Sequence, residues 1–145
     1  MSKTLPTVAV IGSGTMGAGI AEVAAAAGHP VLIFDIAPEA VVRAIDGIRQ
    51  RLASRVSRGK LATEQADALL ARLVPAAELS NLADAQLIIE AASERLEVKK
   101  ALFEQLAAIC SPSTLLVSNT SSISITAIAA GIKHPERVAG LHFFN

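Results

Sequence analysis

Ten residues, Val8 to Gly17, restrict the possible folds more than any other stretch of this chain. They read Val-Ala-Val-Ile-Gly-Ser-Gly-Thr-Met-Gly. The β-branched apolar run predicts a short buried strand. Gly12, Gly14 and Gly17 follow at the spacing G-x-G-x-x-G, and Ala18 to Ala27 continues as a helix. Strand, glycine turn and helix together are the context in which that spacing signals a dinucleotide phosphate site. The first glycine permits the tight turn, the second lets the backbone approach the pyrophosphate, and the third packs helix on strand. Free N–H groups at the helix start then face the anion. Ser13, Thr15 and Met16 complete the loop and are expected to lie along the same cofactor.

Composition excludes several alternatives. The chain has 145 residues, 52% of them hydrophobic and 18% charged, so it can bury a core and is not disordered. Its net charge of zero argues against a general nucleic-acid or anionic-membrane partner, and it has no tyrosine or tryptophan on which bases could stack. The single cysteine, Cys110, lies at the end of an apolar helical pattern and is expected to be an inert core residue in a reducing cytoplasm. Val8 to Ala27 is long enough to cross a membrane. Its clustered glycines and Glu22 argue instead for a soluble domain, and no signal-peptide cleavage site is present. No metal is expected.

Further along, Gly28-His29-Pro30 stops the first helix and Val31 to Phe34 reads as a second buried strand. It ends at Asp35, where a dinucleotide fold places a carboxylate on the adenosine ribose. No arginine follows until Arg43, so Asp35 is expected to repel a 2′-phosphate and select NAD over NADP. The plainer alternative is that Asp35 caps the next helix. Pro38 suits a first helical turn, and Val41, Ile45, Ile48, Leu52 and Val56 form one apolar stripe. Arg51, Arg55 and Arg58 share a flank of that helix, either as a solvated face or as a patch that meets phosphates. Gly59 ends it, and Thr63 is expected to cap a second helix, completing a hairpin.

Val74 to Ala77 is expected to be an edge strand and Leu87 to Ala91 a buried one. Ser93 then caps a helix whose buried face is Val98, Leu102, Leu106 and Ile109. Thr114 to Ser118 and Val138 to Phe143 are further strands, with a short helix over Ile125 to Ala130 between them. Alternating strands and helices imply a doubly wound, mostly parallel α/β sheet of Rossmann type. Ligands of such sheets lie at the carboxyl ends of the strands. There stand Gly12, Asp35, Glu90 to Glu94, Asn119 to Ser122 and His142 to Asn145. Asn119 therefore joins the cofactor candidates.

Four segments carry a resemblance that covers the whole chain: VAVIGSGTMGAGIAEVAA at 8–25, EAASERLEVKKALF at 90–103, SNTSSISITAIA at 118–129 and ERVAGLHFFN at 136–145. The sequence resembles the NAD-dependent 3-hydroxyacyl-CoA dehydrogenases. The resemblance implies that His142 removes the proton of a substrate 3-hydroxyl, a task suited to a group titrating near neutrality. It further implies that Ser121 hydrogen-bonds substrate and cofactor, that Asn145, Glu94 and Lys99 contact NAD, and that the hairpin arginines, Arg58 foremost, meet CoA. Relatives continue past this asparagine with a loop, a glutamate that pairs with the histidine, and a helical domain that builds a homodimer. Residues 1–145 are therefore expected to be the NAD-binding domain, an amino-terminal part that binds NAD with little turnover of its own. A non-catalytic nucleotide-binding module and a dehydrogenase of hydroxyacids lacking CoA remain the alternatives.

Overall fold

The structure, a computed structural model, describes residues 4–92, 95–120 and 123–141. Six parallel strands are present among them: β1 (Val8–Ile11), β2 (Val31–Phe34), β3 (Leu73–Pro75), β4 (Leu87–Glu90), β5 (Leu115–Ser118) and β6 (Val138–Gly140). Five helices connect them: α1 (Thr15–Ala26), α2 (Pro38–Ser57), α3 (Thr63–Arg72), α4 (Leu96–Ile109) and α5 (Ile125–Ala129). The strand order β3-β2-β1-β4-β5-β6 puts β1 at the centre, where the winding reverses. In such sheets the crevice beside the reversal point is the ligand site.

Both faces of the sheet are covered, which is why its strands read as continuous apolar runs. Successive side chains point to opposite faces. Val8 and Val10 join Ile20, Ile33, Ile48, Leu52 and Leu69 in the core under α1, α2 and α3. Ala9 and Ile11 join Ile88, Phe103, Leu106, Leu116 and Ile128 under α4 and α5. The stripe on α2 packs as its spacing predicts, with Val41, Ile48 and Leu52 buried and Ile45 and Val56 against them.

Local signals fail at three places. α3 begins one residue after Ala62, whose N–H is held by Gln65 Oε1 at 3.1 Å, so Thr63 is the first helical residue and not its cap. α4 begins at Leu96, with Arg95 rather than Ser93 at its N-cap, and Ser93 lies outside the described residues. The buried face of α4 is Lys99, Phe103 and Leu106, whereas Val98 is 43% exposed. The periodicity of α4 is ambiguous because two apolar rows adjoin, and only packing against the sheet decides which is core.

Candidate functional site

The three motif glycines hold different positions. Gly12 has φ +98°, and a Cβ there would sit 2.8 Å from the Ala91 carbonyl oxygen. A Cβ on Gly17 would lie 1.8 Å from the Gly12 oxygen. Those two glycines bring turn, helix and β4 loop into contact. Gly14 meets nothing within 4 Å, although it precedes α1 directly. Among the described residues no side chain caps α1, so its first N–H groups are available to an anion.

Two clefts flank this loop. One, of about 440 Å³, is lined by Ser13, Gly14 and Thr15 with Asp35, Arg43 and Arg51. The other, of about 700 Å³, runs from Gly12 and Gly14 between Phe34 and Ile36 on one side and Val98 and Leu102 on the other, with Arg95 and Gln105 at its edge. Ile36 is 92% exposed there. An apolar slot with a few polar groups, beside an uncapped helix start, suits a flat base joined to a phosphate.

Asp35 closes the junction between the clefts. Its Oδ2 accepts the Ser13 N–H at 2.9 Å and the Ser13 hydroxyl at 2.8 Å, and its Oδ1 accepts the Ala37 N–H at 3.0 Å. A carboxylate has about four acceptor positions. These three bonds leave one on Oδ1 for a ribose hydroxyl. Burial by itself would raise the Asp35 carboxyl. The Ala37 N–H, the Ser13 hydroxyl and N–H, and the charge of Arg43 outweigh it and hold the group below its ordinary value. Asp35 does not cap α2, whose N-cap is Ala37 with no side-chain cap bond; it braces the turn before that helix and presents an oxygen to the crevice.

Several expected roles change with the geometry. Ser13 is buried, and its N–H and hydroxyl are engaged by Asp35, so it shapes the loop rather than offering those donors to a phosphate. Met16 packs against the core under α1. Thr15 lines the smaller cleft. Asp35 is not isolated from cations, because α2 turns Arg43 back into the same cleft. Arg51 reaches that cleft too, while its Nε and Nη2 hold Glu22 Oε1 at 3.2 and 2.9 Å. Arg55 lies further along α2 and Arg58 at its C-cap; both are exposed, Arg58 donating through Nε to the Ser54 carbonyl at 3.4 Å.

Lys99 also departs from expectation. It is 1% exposed, and its ammonium is bonded to Glu90 beneath the β4 end instead of facing a cleft. Asn119 stands at the end of β5, its N–H on the Glu90 carbonyl at 2.8 Å. His142, Ser121, Asn145 and Glu94 lie outside the described residues. Sequence reasoning missed Arg43, Ile36, Val98 and Gln105. The one available signal was Ile36, a large apolar residue in a turn with no core position to fill. Among the described residues no group of three metal-ligating side chains gathers, and no helix is long and apolar enough to cross a membrane.

Comparison with known proteins gives the family and the fold. The family described as 3-hydroxyacyl-CoA dehydrogenase, NAD binding domain, matches residues 7–145. A 3-hydroxyadipyl-CoA dehydrogenase of Escherichia coli K12 is 69% identical over 145 residues, which is 100% of this chain and 30% of that protein. A 3-hydroxybutyryl-CoA dehydrogenase of Bradyrhizobium diazoefficiens is 44% identical, covering 100% of this chain and 50% of that one. A crystal structure described as 3-hydroxybutyryl-CoA dehydrogenase from Escherichia coli K12 has a TM-score of 0.95 at 69% identity, over 99% of this chain and 30% of its own. The chain thus spans between 30% and 50% of these relatives' lengths.

Proposed function

The chain belongs to the 3-hydroxyacyl-CoA dehydrogenase family, and from that premise we propose that it is the NAD-binding part of an enzyme that oxidises the 3-hydroxyl of a 3-hydroxyacyl-CoA. The observation that carries the reading is the open position at Gly14, before a helix that no described side chain caps, in a cleft that Asp35 also lines. That combination fits a pyrophosphate at the helix start with its adenosine ribose on Asp35. The base would then take the slot lined by Ile36 and Val98.

NAD, when bound, would supply the hydride acceptor. His142 takes the hydroxyl proton while the C3 hydrogen leaves as a hydride, so that C3 becomes a ketone. In the reducing direction His142 returns the proton. Ser121 orients the hydroxyl, and Glu94, Asn119 and Asn145 would hold NAD. The assignments of His142, Ser121, Glu94 and Asn145 rest on the resemblance of the segments that carry them, and that of Asn119 on its place at the end of β5. Arg51, Arg55 and Arg58 offer guanidinium groups to the phosphates of CoA, a pairing whose geometry favours arginine. The acyl group we assign is adipyl, after the Escherichia coli relative of that name, and this would place the enzyme in phenylacetate breakdown and related fatty-acid oxidation. We further propose a cytoplasmic homodimer, in keeping with an unpaired buried cysteine.

Calorimetric titration tests the reading. The protein should bind NAD, and Arg58→Glu should weaken acetoacetyl-CoA by about tenfold, the loss of one phosphate contact, with NAD unchanged. Failure to bind NAD would sink the proposal, and equal CoA affinity in the variant would remove Arg58 from it. A higher kcat/KM for 3-hydroxybutyryl-CoA than for 3-hydroxyadipyl-CoA in an active enzyme containing this chain would overturn the adipyl assignment.

A further inference from the structure

We propose that Glu90 is a positioning residue whose carboxylate sets the ends of β4 and β5 against the phosphate loop, and thereby shapes the nicotinamide side of the crevice. The side chain is fully buried at the last position of β4. Its Oε2 accepts the Ala92 N–H at 2.7 Å. Its Oε1 accepts the Ser118 hydroxyl at 2.7 Å and the Lys99 ammonium. Its carbonyl accepts the Asn119 N–H at 2.8 Å. One residue therefore joins the β4 loop, the β5 end and α4. The backbone it holds at Ala91 and Ala92 is the surface against which Gly12 packs, at 2.8–2.9 Å from where a Cβ would stand.

Stability does not account for this arrangement. Removing two charges from water is costly, and apolar pairs of similar volume often hold a fold as well or better. The side chains packed on this face around it are mostly apolar, among them Phe103, Leu106 and Leu116. An ion pair here does what a leucine pair cannot: through directional bonds it fixes the Ala92 N–H, the Ser118 hydroxyl and the Lys99 ammonium, on three neighbouring elements, relative to one another. Those elements lie on the β4–β5 side of β1, whereas Asp35 lies on the β2 side. A dinucleotide crossing the reversal point places its nicotinamide half over the elements Glu90 controls.

The inference rests on NAD lying across this crevice, and the test separates the two. Affinities for NAD and ADP-ribose are measured for the parent protein, for the double variant Glu90→Met/Lys99→Met, and for Ser118→Ala, with thermal unfolding alongside. The double variant should stay folded and bind ADP-ribose within about twofold of the parent, but NAD about tenfold more weakly, the equivalent of one lost directional contact. Ser118→Ala, which leaves the ion pair in place, should shift the NAD to ADP-ribose ratio in the same direction by a smaller factor. An unchanged ratio in both variants overturns the inference, as does a parallel loss of both ligands. A parent that binds neither ligand overturns the functional reading instead.

Discussion

Gly12, Gly14 and Gly17 share one motif, yet the consequences of adding a methyl group differ at each. At Gly17 the methyl would enter the Gly12 carbonyl, and at Gly12 it would strike the β4 loop at positive φ. Gly17→Ala should therefore destabilise the fold by at least about 2 kcal/mol through overpacking. Gly14 has φ −69° and ψ −170°, a conformation alanine accepts, with open space around it. Gly14→Ala should leave stability unchanged or raise it by about 0.4–1 kcal/mol. It should nevertheless weaken NAD by at least about tenfold, because the methyl occupies the pyrophosphate's approach. Urea denaturation and NAD titration of the two variants read these outcomes. Equal NAD affinity in Gly14→Ala would remove the second glycine from the site.

Asp35 carries a pH-dependent contribution whose sign follows from its lowered folded-state pKa. A group held below its unfolded value stabilises the fold fully above that value, about 3.9, and loses the contribution as pH falls through the folded one. Asp35→Asn should flatten the fall in urea midpoint on acidification below about pH 4. Because Arg43 lines the same cleft, the variant should also bind NADP closer to its affinity for NAD. An unaltered acid limb would mean that the bonds from Ser13 and Ala37 do not favour the ionised form.

Among the elements, α4 shows how two jobs share one helix. Lys99, Phe103 and Leu106 face the sheet, while Val98, Ala101, Leu102 and Gln105 line the cleft. Its carboxyl end is closed from a distance, where the buried Arg137 guanidinium donates to the carbonyls of Ala107, at 3.2 Å, and Ser111. A cation there also complements the helix dipole. Cys110 is caught in this junction, its Sγ 4.0 Å from the Leu82 carbonyl. Burial raises its thiol, the charge of Arg137 opposes that, and Asp84 adds to it, with a net rise. The native thiol should react with Ellman's reagent at pH 8 on the order of a hundredfold more slowly than free cysteine, and at the free rate in urea. Rapid native labelling would show that α4 does not seal against the segment before β4.

For the whole molecule, the decisive feature is the reversal of winding at β1, which gathers side chains far apart in sequence at one crevice. Glycine spacing and short-range periodicity determined a good deal by themselves. The strand–turn–helix at Val8 to Gly17, the apolar stripe of α2 and the parallel α/β class are all legible in the sequence. Each depends on residues within a few positions of one another and on the fixed geometry of helix and strand. Tertiary structure alone decided that Arg43 shares a cleft with Asp35, that Ser13 serves Asp35, and that Lys99 turns inward to Glu90. It also decided which of two adjoining apolar rows of α4 is core. The physical reason is common to all four. A buried charge or an ambiguous face takes its partner from whichever element the packed sheet brings beside it, and Ser118, 28 positions from Glu90, meets the same carboxylate only once β4 and β5 are paired.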